Sequence, residues 1–246
     1  MKSCSTKPLQ FISDKLLEQH CRLLLDKIQK VASSADEELY SNVIDPFSAT
    51  FDAMYQKISL DDWLRQEKAR QIQKSLQNYV GDFHQAVLGS INGWENLGIG
   101  NSIDLRSRDR KIIAEVKNKH NTMNSNSALA VYDKLQKHLD YDESYQGYTA
   151  YCVIIIPQTP KPINFPFCPS ERGIKRPQRE DIRKVDGMSF YNIATNNSNA
   201  LQELYCRIPV ILGRLLNINI EKFVSTGIFD YLFQKAYLQK NENPDY

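Results

Sequence analysis

Apolar residues recur every three or four positions in several stretches of the chain, and this spacing is typical of amphipathic helices. The stretches predicted to be helical are 9–32, 46–55, 60–90, 127–141, 196–216 and 219–239. We expect Ser33 and Ser34 to end the first helix, with residues 35–45 as a connection to the second. Pro209 lies inside the fifth stretch and predicts a kink or a break there.

The middle of the chain carries the patterns of β-strands. Residues 148–157 are almost continuously apolar, which favours a strand buried at the centre of a mixed sheet. Residues 185–194 are expected to form the last strand, and two shorter strands around 103–105 and 112–116 are joined by a polar turn. The pattern therefore predicts an α/β fold with a central mixed sheet flanked by helices. We expect a single domain over 1–246, with a helical N-terminal part (1–92), a catalytic sheet containing a recognition loop (93–195, loop 157–184) and C-terminal helices (196–246).

The predicted hairpin carries two acids and a lysine at positions suited to chemistry. Glu115 and Lys117 are two residues apart, so on a strand they point to the same face. Asp104 belongs to the preceding strand and falls near the same end of an antiparallel pair. Two carboxylates and the backbone carbonyl of Val116 offer the hard oxygen ligands that Mg²⁺ prefers. A metal there could activate water for attack on a phosphate, and a lysine could orient that water.

These residues resemble the PD-(D/E)xK motif shared by many type II restriction endonucleases. The match consists of Asp104, a gap of ten residues, and then Glu115, Val116 and Lys117. Ile103 stands where the motif often has proline, a departure that leaves the acid in place. The resemblance implies that the two acids hold Mg²⁺ and that the lysine positions the attacking water.

The wider sequence extends this resemblance. Segments 81–90 and 113–125 are similar to those of the restriction endonucleases that cut the interrupted palindrome GGNCC, and the similarity covers most of the chain. It implies a homodimeric, Mg²⁺-dependent endonuclease for double-stranded DNA, accompanied in its host by a cognate DNA methyltransferase. In such enzymes the helix before the first catalytic strand often supplies a further acid or amide. Asp82 and Gln85 are the candidates, on one helix face, although Asp82 could equally be an ordinary exposed residue.

Two polar segments are candidates for DNA contact. A run of amides and hydroxyls follows Lys117 and could reach phosphate or base edges, or could be a plain loop. Six of the ten prolines lie between Pro157 and Pro177, and a basic stretch follows, which favours a stiffened recognition arm over an ordinary exposed loop. Arginine is the usual bidentate reader of guanine, which suits a G/C-rich site. The residues predicted to contact DNA are Lys119, Asn121, Asn124, Ser125, Arg172, Lys175, Arg176 and Arg179.

Composition narrows the functional classes. The 246 residues carry a net charge of +2, so a polyanion site requires local clustering, as in residues 104–120 with six Lys/Arg against three acids. No leader, membrane-length apolar run or C-x-x-C pair is visible, so we expect a cytoplasmic protein with reduced thiols. Two alternatives stay open: a structure-selective or repair nuclease of the same motif, and a non-catalytic DNA-binding protein.

Overall fold

The chain folds into two compact units, each described here by itself. The structure, a computed structural model, describes residues 7–41, 43–98, 100, 102–222 and 226–238. The first unit joins Met1–Cys21 to Phe83–Tyr246, and the second is Arg22–Asp82. The expectation of one domain over the whole chain stays a prediction.

A mixed sheet forms the centre of the first unit. Its strands are β1 (Glu95–Asn96), β2 (Leu105–Ser107), β3 (Ile112–Lys119), β4 (Thr149–Ile156), β5 (Asn164–Pro166) and β8 (Ile182–Asp186), in the spatial order β1-β2-β3-β4-β8-β5. β3, β4 and β8 are parallel, whereas β1, β2 and β5 run antiparallel to their neighbours. Two further strands, β6 (Ser170–Glu171) and β7 (Ile174–Lys175), form a separate small hairpin.

Helices supply most of the remaining structure, as predicted. They are α1 (Asp14–Ser41), α2 (Pro46–Gln56), α3 (Leu60–Gly89), α4 (Ser125–Tyr141), α5 (Gly187–Thr195), α6 (Ala200–Leu216) and α7 (Thr226–Tyr237). The predicted α/β fold, with a mixed sheet flanked by helices, is thereby confirmed. Within the described ranges, none of the helices combines the length and the hydrophobicity that crossing a membrane requires.

Helices cover both faces of the sheet in the first unit. On one face, Tyr132 and Leu135 of α4 are fully buried in a cluster that includes Ile113 of β3. On the other face, the ring of Phe190 from α5 lies 5.8 Å from the ring of Tyr151 on β4, measured between centroids. Because side chains alternate along a strand, each strand at the centre contributes to both layers.

The predicted last strand over 185–194 is wrong, because most of that segment is helical. β8 ends at Asp186, and α5 begins at the next residue. The Asp186 carboxylate accepts hydrogen bonds from the backbone N–H and the hydroxyl of Ser189, at 3.0 and 2.6 Å. This carboxylate caps the helix, so a local capping interaction outweighs the strand-like composition of the segment.

The first helix differs from its predicted bounds. It begins at Asp14 and continues through Ser33 and Ser34, so they do not end it, and the predicted connection over 35–45 is wrong where it overlaps α1. Both serine hydroxyls donate to the backbone carbonyl of Lys30, at 2.8 and 3.1 Å. Serine is tolerated inside a helix when its hydroxyl is satisfied in this way.

The proline-rich segment contains short strands, although proline lacks the N–H donor that a strand ladder uses. Pro166 ends β5, which is the edge strand of the sheet and can accommodate a residue without an N–H. Pro209 lies inside α6, which continues on both sides of it. The strands of the proline-rich segment are therefore only two or three residues long, and the predicted break at Pro209 is wrong.

Among the described residues, the cysteines differ from the prediction at Cys206. Cys21, Cys152 and Cys168 are free thiols, whereas Cys206 is disulfide-bonded. The prediction of reduced thiols is therefore wrong for Cys206, because spacing along the chain does not show which cysteines lie close in space.

Candidate active site

The predicted acids come together where β2 begins beside β3. Leu105, the first residue of β2, pairs with Ala114 of β3, and Asp104 immediately precedes that pair. Just before the start of β2, Oδ2 of Asp104 accepts a hydrogen bond from the backbone N–H of Val116 at 2.7 Å. This bond fixes the Asp104 carboxylate beside the strand that carries Glu115.

Glu115 lies at the centre of the site and is held by two lysines. Its side chain shares the face of β3 that carries Ile113, which is the face covered by α4. The residue is only 5% exposed. Nζ of Lys117 donates to Oε1 at 2.8 Å, and Nζ of Lys134 on α4 donates to Oε2 at 2.5 Å. Each carboxylate oxygen therefore has its own ammonium partner.

Burial and neighbouring charges change the acidity of these groups. Burial, with the negative charge of Glu115 next to it, raises the pKa of Asp104 to about 6, against the opposing effect of the Val116 N–H. Burial acts to lower the pKa of Lys117, but the hydrogen bond to Glu115 and the two carboxylate charges outweigh it, so this pKa is raised. Lys117 is therefore a cation at neutral pH, suited to donating hydrogen bonds.

The donor atoms of the site fit a divalent cation such as Mg²⁺. Within the described ranges, no three His, Cys, Asp or Glu side chains are grouped closely enough to hold a metal by themselves. Mg²⁺ does not need such a cage, since it binds through one or two carboxylates and keeps several waters. The N–H and C=O of one strand residue point to the same side, so the Val116 carbonyl is directed toward the side on which Asp104 lies.

Comparison with known proteins decides the family. The model of a family described as Eco47II restriction endonuclease matches residues 9–217. The chain belongs to the Eco47II restriction endonuclease family. It is 41% identical over 212 residues to the type II restriction enzyme Eco47II of Escherichia coli, covering 85% of this chain and 88% of that protein. It is 30% identical over 239 residues to the type II restriction enzyme Sau96I of Staphylococcus aureus, covering 94% and 90%. No solved structure matches the chain.

Membership of the Eco47II family confirms the class that the motif predicted. The chain is a type II restriction endonuclease, a DNA-hydrolysing enzyme of a restriction-modification system. The non-catalytic DNA-binding protein and the structure-selective or repair nuclease are thereby set aside. Enzymes of this kind usually need a divalent metal, in agreement with the donor atoms of Asp104 and Glu115.

The remaining predicted members of the active site lie on α3. Asp82 is exposed, and its Oδ2 accepts a hydrogen bond from Nζ of Lys27 at 2.8 Å. Gln85 is half-buried, one turn further along the helix. An exposed ion pair of this kind contributes little to stability. A catalytic role for Asp82 or Gln85 stays a prediction in this Eco47II-family enzyme.

The polar run after Lys117 is partly structural. Lys119 ends β3, Asn121 lies in the 3₁₀ turn that follows, and Ser125 begins α4. Oδ1 of Asn124 accepts hydrogen bonds from the backbone N–H and the hydroxyl of Ser127, at 2.9 and 2.8 Å. Asn124 therefore caps α4, which begins two residues earlier than predicted. DNA contact by these residues stays a prediction.

The predicted cations of the recognition arm divide into two kinds. Arg172 and Lys175 are exposed on the β6–β7 hairpin. Arg176 instead forms two hydrogen bonds of 2.8 Å with Asp133 of α4, and Arg179 is held by two other aspartates at 2.6 to 2.9 Å. A base contact by either of the last two would require these ion pairs to break. Of the four predicted arm cations, Arg172 and Lys175 are thus the two without a carboxylate partner among the described residues.

Sequence reasoning missed Lys134. It follows Lys117 by 17 positions, so the short motif could not include it. One signal was available: Lys134 lies three positions after Val131 and directly before Leu135, and both of these are buried. Helical spacing alone therefore places Lys134 at the border of the face of α4 that packs on the sheet.

Proposed function

We propose that this restriction endonuclease hydrolyses phosphodiesters in double-stranded DNA at a short palindromic, G/C-rich site, with Mg²⁺ as cofactor. The observation that supports this most is the convergence of Asp104, Glu115 and Lys117 at one end of β3. Such a combination of two carboxylates and a charged lysine suits attack on a phosphate, whose developing negative charge needs positive partners.

Each residue of the site would have a distinct task. Asp104 and Glu115, with the backbone carbonyl of Val116, would hold Mg²⁺, which supplies Lewis-acid stabilisation of the charge that builds on the phosphate. Lys117 would orient the attacking water for in-line displacement, since its ammonium lies 2.8 Å from Glu115 and stays protonated at neutral pH. Asp82 or Gln85 would be a weaker additional member.

The proposed target is GGNCC, on the resemblance carried by segments 81–90 and 113–125. A palindromic duplex has two-fold symmetry, and a homodimer presents one active site to each strand. Arg172 and Lys175 would be the first cations of the arm to meet DNA, because their side chains are exposed. A cognate methyltransferase would protect the host DNA at the same sequence.

The direct test is incubation of the purified protein with long unmethylated DNA, in Mg²⁺ and in EDTA. We expect discrete fragments with Mg²⁺ alone, and end-mapping should place the cuts within GGNCC. Discrete fragments ending at another sequence would refute the target while keeping the activity. A Mg²⁺-dependent smear or intact DNA in both reactions would contradict the proposed function itself.

The acids are tested by Asp104→Ala and Glu115→Ala. Each change removes a ligand of the proposed metal site, so we expect cleavage to slow by at least about 100-fold while DNA binding, measured by fluorescence anisotropy in EDTA, persists. Asp109→Ala is the matched control, because Asp109 is an exposed acid in the turn of the same hairpin. Wild-type cleavage rates in either active-site variant would contradict the assignment.

A further inference from the structure

We infer that Lys134 of α4 is a positioning residue of the active site that acts through Glu115. Its Nζ lies 2.5 Å from Oε2 of Glu115, while Lys117 occupies Oε1 at 2.8 Å. The inference deepens the proposed function and rests on it, because it assigns Glu115 to the catalytic centre. Lys134 comes from a helix rather than from the β2–β3 hairpin, so the carboxylate accepts hydrogen bonds from two separate elements.

Burial distinguishes this contact from an ordinary surface ion pair. The Glu115 side chain is 6% exposed, and that of Lys134 is 31% exposed. A carboxylate with so little access to water needs hydrogen-bond donors for both oxygens, and a missing donor leaves a desolvated charge. The neighbouring Asp133 pairs instead with Arg176, on the other side of the helix surface. Lys134 is thus the residue of α4 that supplies a hydrogen-bond donor to the second oxygen of the Glu115 carboxylate.

The charge balance of the site is a second reason to assign Lys134 a role there. Asp104 and Glu115 face the ammonium groups of Lys117 and Lys134, so the site is neutral before a metal and DNA bind. With Mg²⁺ bound, the site would present two positive charges in excess. The transition state of phosphodiester hydrolysis carries two negative charges, so this excess matches the charge that must be stabilised. Without Lys134, half of the excess is lost, and the orientation of the Glu115 carboxylate is no longer fixed.

The contact is tested first in the metal-free protein, without DNA. We expect Lys134→Met to lower the thermal midpoint by about 3–6 °C, because it leaves Oε2 of Glu115 buried without a donor. In a Glu115→Gln background the same change should shift the midpoint much less, since the carboxylate is absent. Lys137→Met is the matched control on the exposed face of α4 and should leave the midpoint unchanged. An equal shift in both backgrounds would overturn the inference.

The catalytic consequence is measured separately. At saturating DNA and Mg²⁺, we expect Lys134→Met to reduce the single-turnover cleavage rate by about 10–100-fold with unchanged DNA affinity, the range typical of residues that orient metal ligands. Lys134→Arg should recover most of the rate, because it keeps the charge and the donor. Cleavage by Lys134→Met at the rate of Lys137→Met would overturn the inference. If the wild-type protein cut no DNA, the proposed function would fail, whereas the midpoint experiment would still test the contact.

A second and independent observation concerns α2, in the other unit. This helix is amphipathic in an unusual sense, since its buried positions are the small residues Ala49 and Ala53, at 7% and 2% exposure. Its large apolar side chains point outward and are 75–88% exposed. They are Phe47, Phe51, Met54 and Tyr55, which share one face of the helix and are called here the α2 apolar face.

We propose that the α2 apolar face docks against the same face of a second copy of this chain. No Lys or Arg occurs in Pro46–Gln56, so the helix lacks the cations that a phosphate backbone requires. At roughly 150 Å² for each exposed side chain, the four together present about 500–600 Å², the upper end of the range for the largest apolar patch of a monomer. Two such faces would bury about 1,000–1,200 Å², which reaches the size of a specific interface, and a two-fold axis needs a self-complementary patch.

The test is the oligomeric state of the full chain without DNA. By analytical ultracentrifugation at micromolar concentration, we expect a wild-type dimer that Phe51→Glu and Met54→Glu each convert to a monomer. Tyr141→Glu is the control, because Tyr141 is 82% exposed and lies on α4. The substituted side chains are mostly exposed, so circular dichroism should show an unchanged fold. A wild-type monomer, or dimers that persist in both α2 variants, would overturn the proposal whether or not the enzyme cuts GGNCC.

Discussion

At the scale of single residues, the chemistry of the site follows from four charges in a small, partly buried space. Asp104 and Glu115 repel each other when both are ionised, and burial strengthens that repulsion by excluding water. A bound dication would remove this repulsion between the two carboxylates, which favours its binding at the site. Lys117 and Lys134 perform part of this neutralisation in the metal-free protein.

The same residues show how far local sequence can predict a site. Asp104, Glu115 and Lys117 were predictable because strand alternation and antiparallel pairing act over a few residues. Lys134 was not, because its approach to Glu115 depends on how α4 packs on the sheet. Arg176 was assigned to DNA from the local charge, and its partner Asp133 lies 43 positions away, beyond what a charge count can detect.

At the scale of helices and strands, strong hydrophobic periodicity predicts the bounds of an element closely. A capping interaction, in contrast, is not evident from composition. α3 and β4 lie within a residue of their predicted bounds, since long helical spacing and a continuous apolar run have few alternatives. Segment 185–194 has the composition of a strand, because Val185, Phe190, Tyr191 and Ile193 favour strands. What decides that segment is the Asp186 cap and the packing of the new helix on β4.

That packing predicts the effect of Gly187→Ala. A Cβ at Gly187 would lie 2.4 Å from the backbone oxygen of Ile155 on β4, and backbone atoms cannot move aside as a flexible side chain can. We expect a loss of about 1–3 kcal/mol in the free energy of unfolding, measured by urea denaturation. Gly227→Ala in α7 is the matched control, with no described atom within 4 Å of its Cβ, and should be neutral or slightly stabilising. Equal stabilities for the two variants would contradict the close approach of α5 and β4.

At the scale of the whole molecule, the first unit brings the beginning of the chain to its C-terminal helices. Asp14, the first residue of α1, is paired with Arg207 and Arg214 of α6, about 200 positions away. Arg207 is 8% exposed at its side chain, so pairing with this carboxylate offsets part of the cost of burying its charge. Sequence analysis could place both helices but not their pairing, because no short-range pattern links residues so far apart.

This pairing predicts a pH-dependent contribution to stability. The hydrogen bond from Arg207, together with the charges of Arg207 and Arg214, holds the pKa of Asp14 below its ordinary value of 3.8. A carboxyl whose pKa is lower in the folded state contributes stability that is fully present above the unfolded pKa and is lost as the pH falls through the folded value. We therefore expect Asp14→Asn to cost about 2 kcal/mol at pH 7, since it removes a carboxylate charge that pairs with the buried guanidinium of Arg207. The difference in the free energy of unfolding between wild type and variant, from urea denaturation, should stay constant from pH 7 to 5 and shrink below pH 4.

The control for this prediction is Asp109→Asn, in the exposed hairpin turn, which should show no comparable loss. An Asp14→Asn difference that persisted undiminished to pH 3 would contradict the pairing.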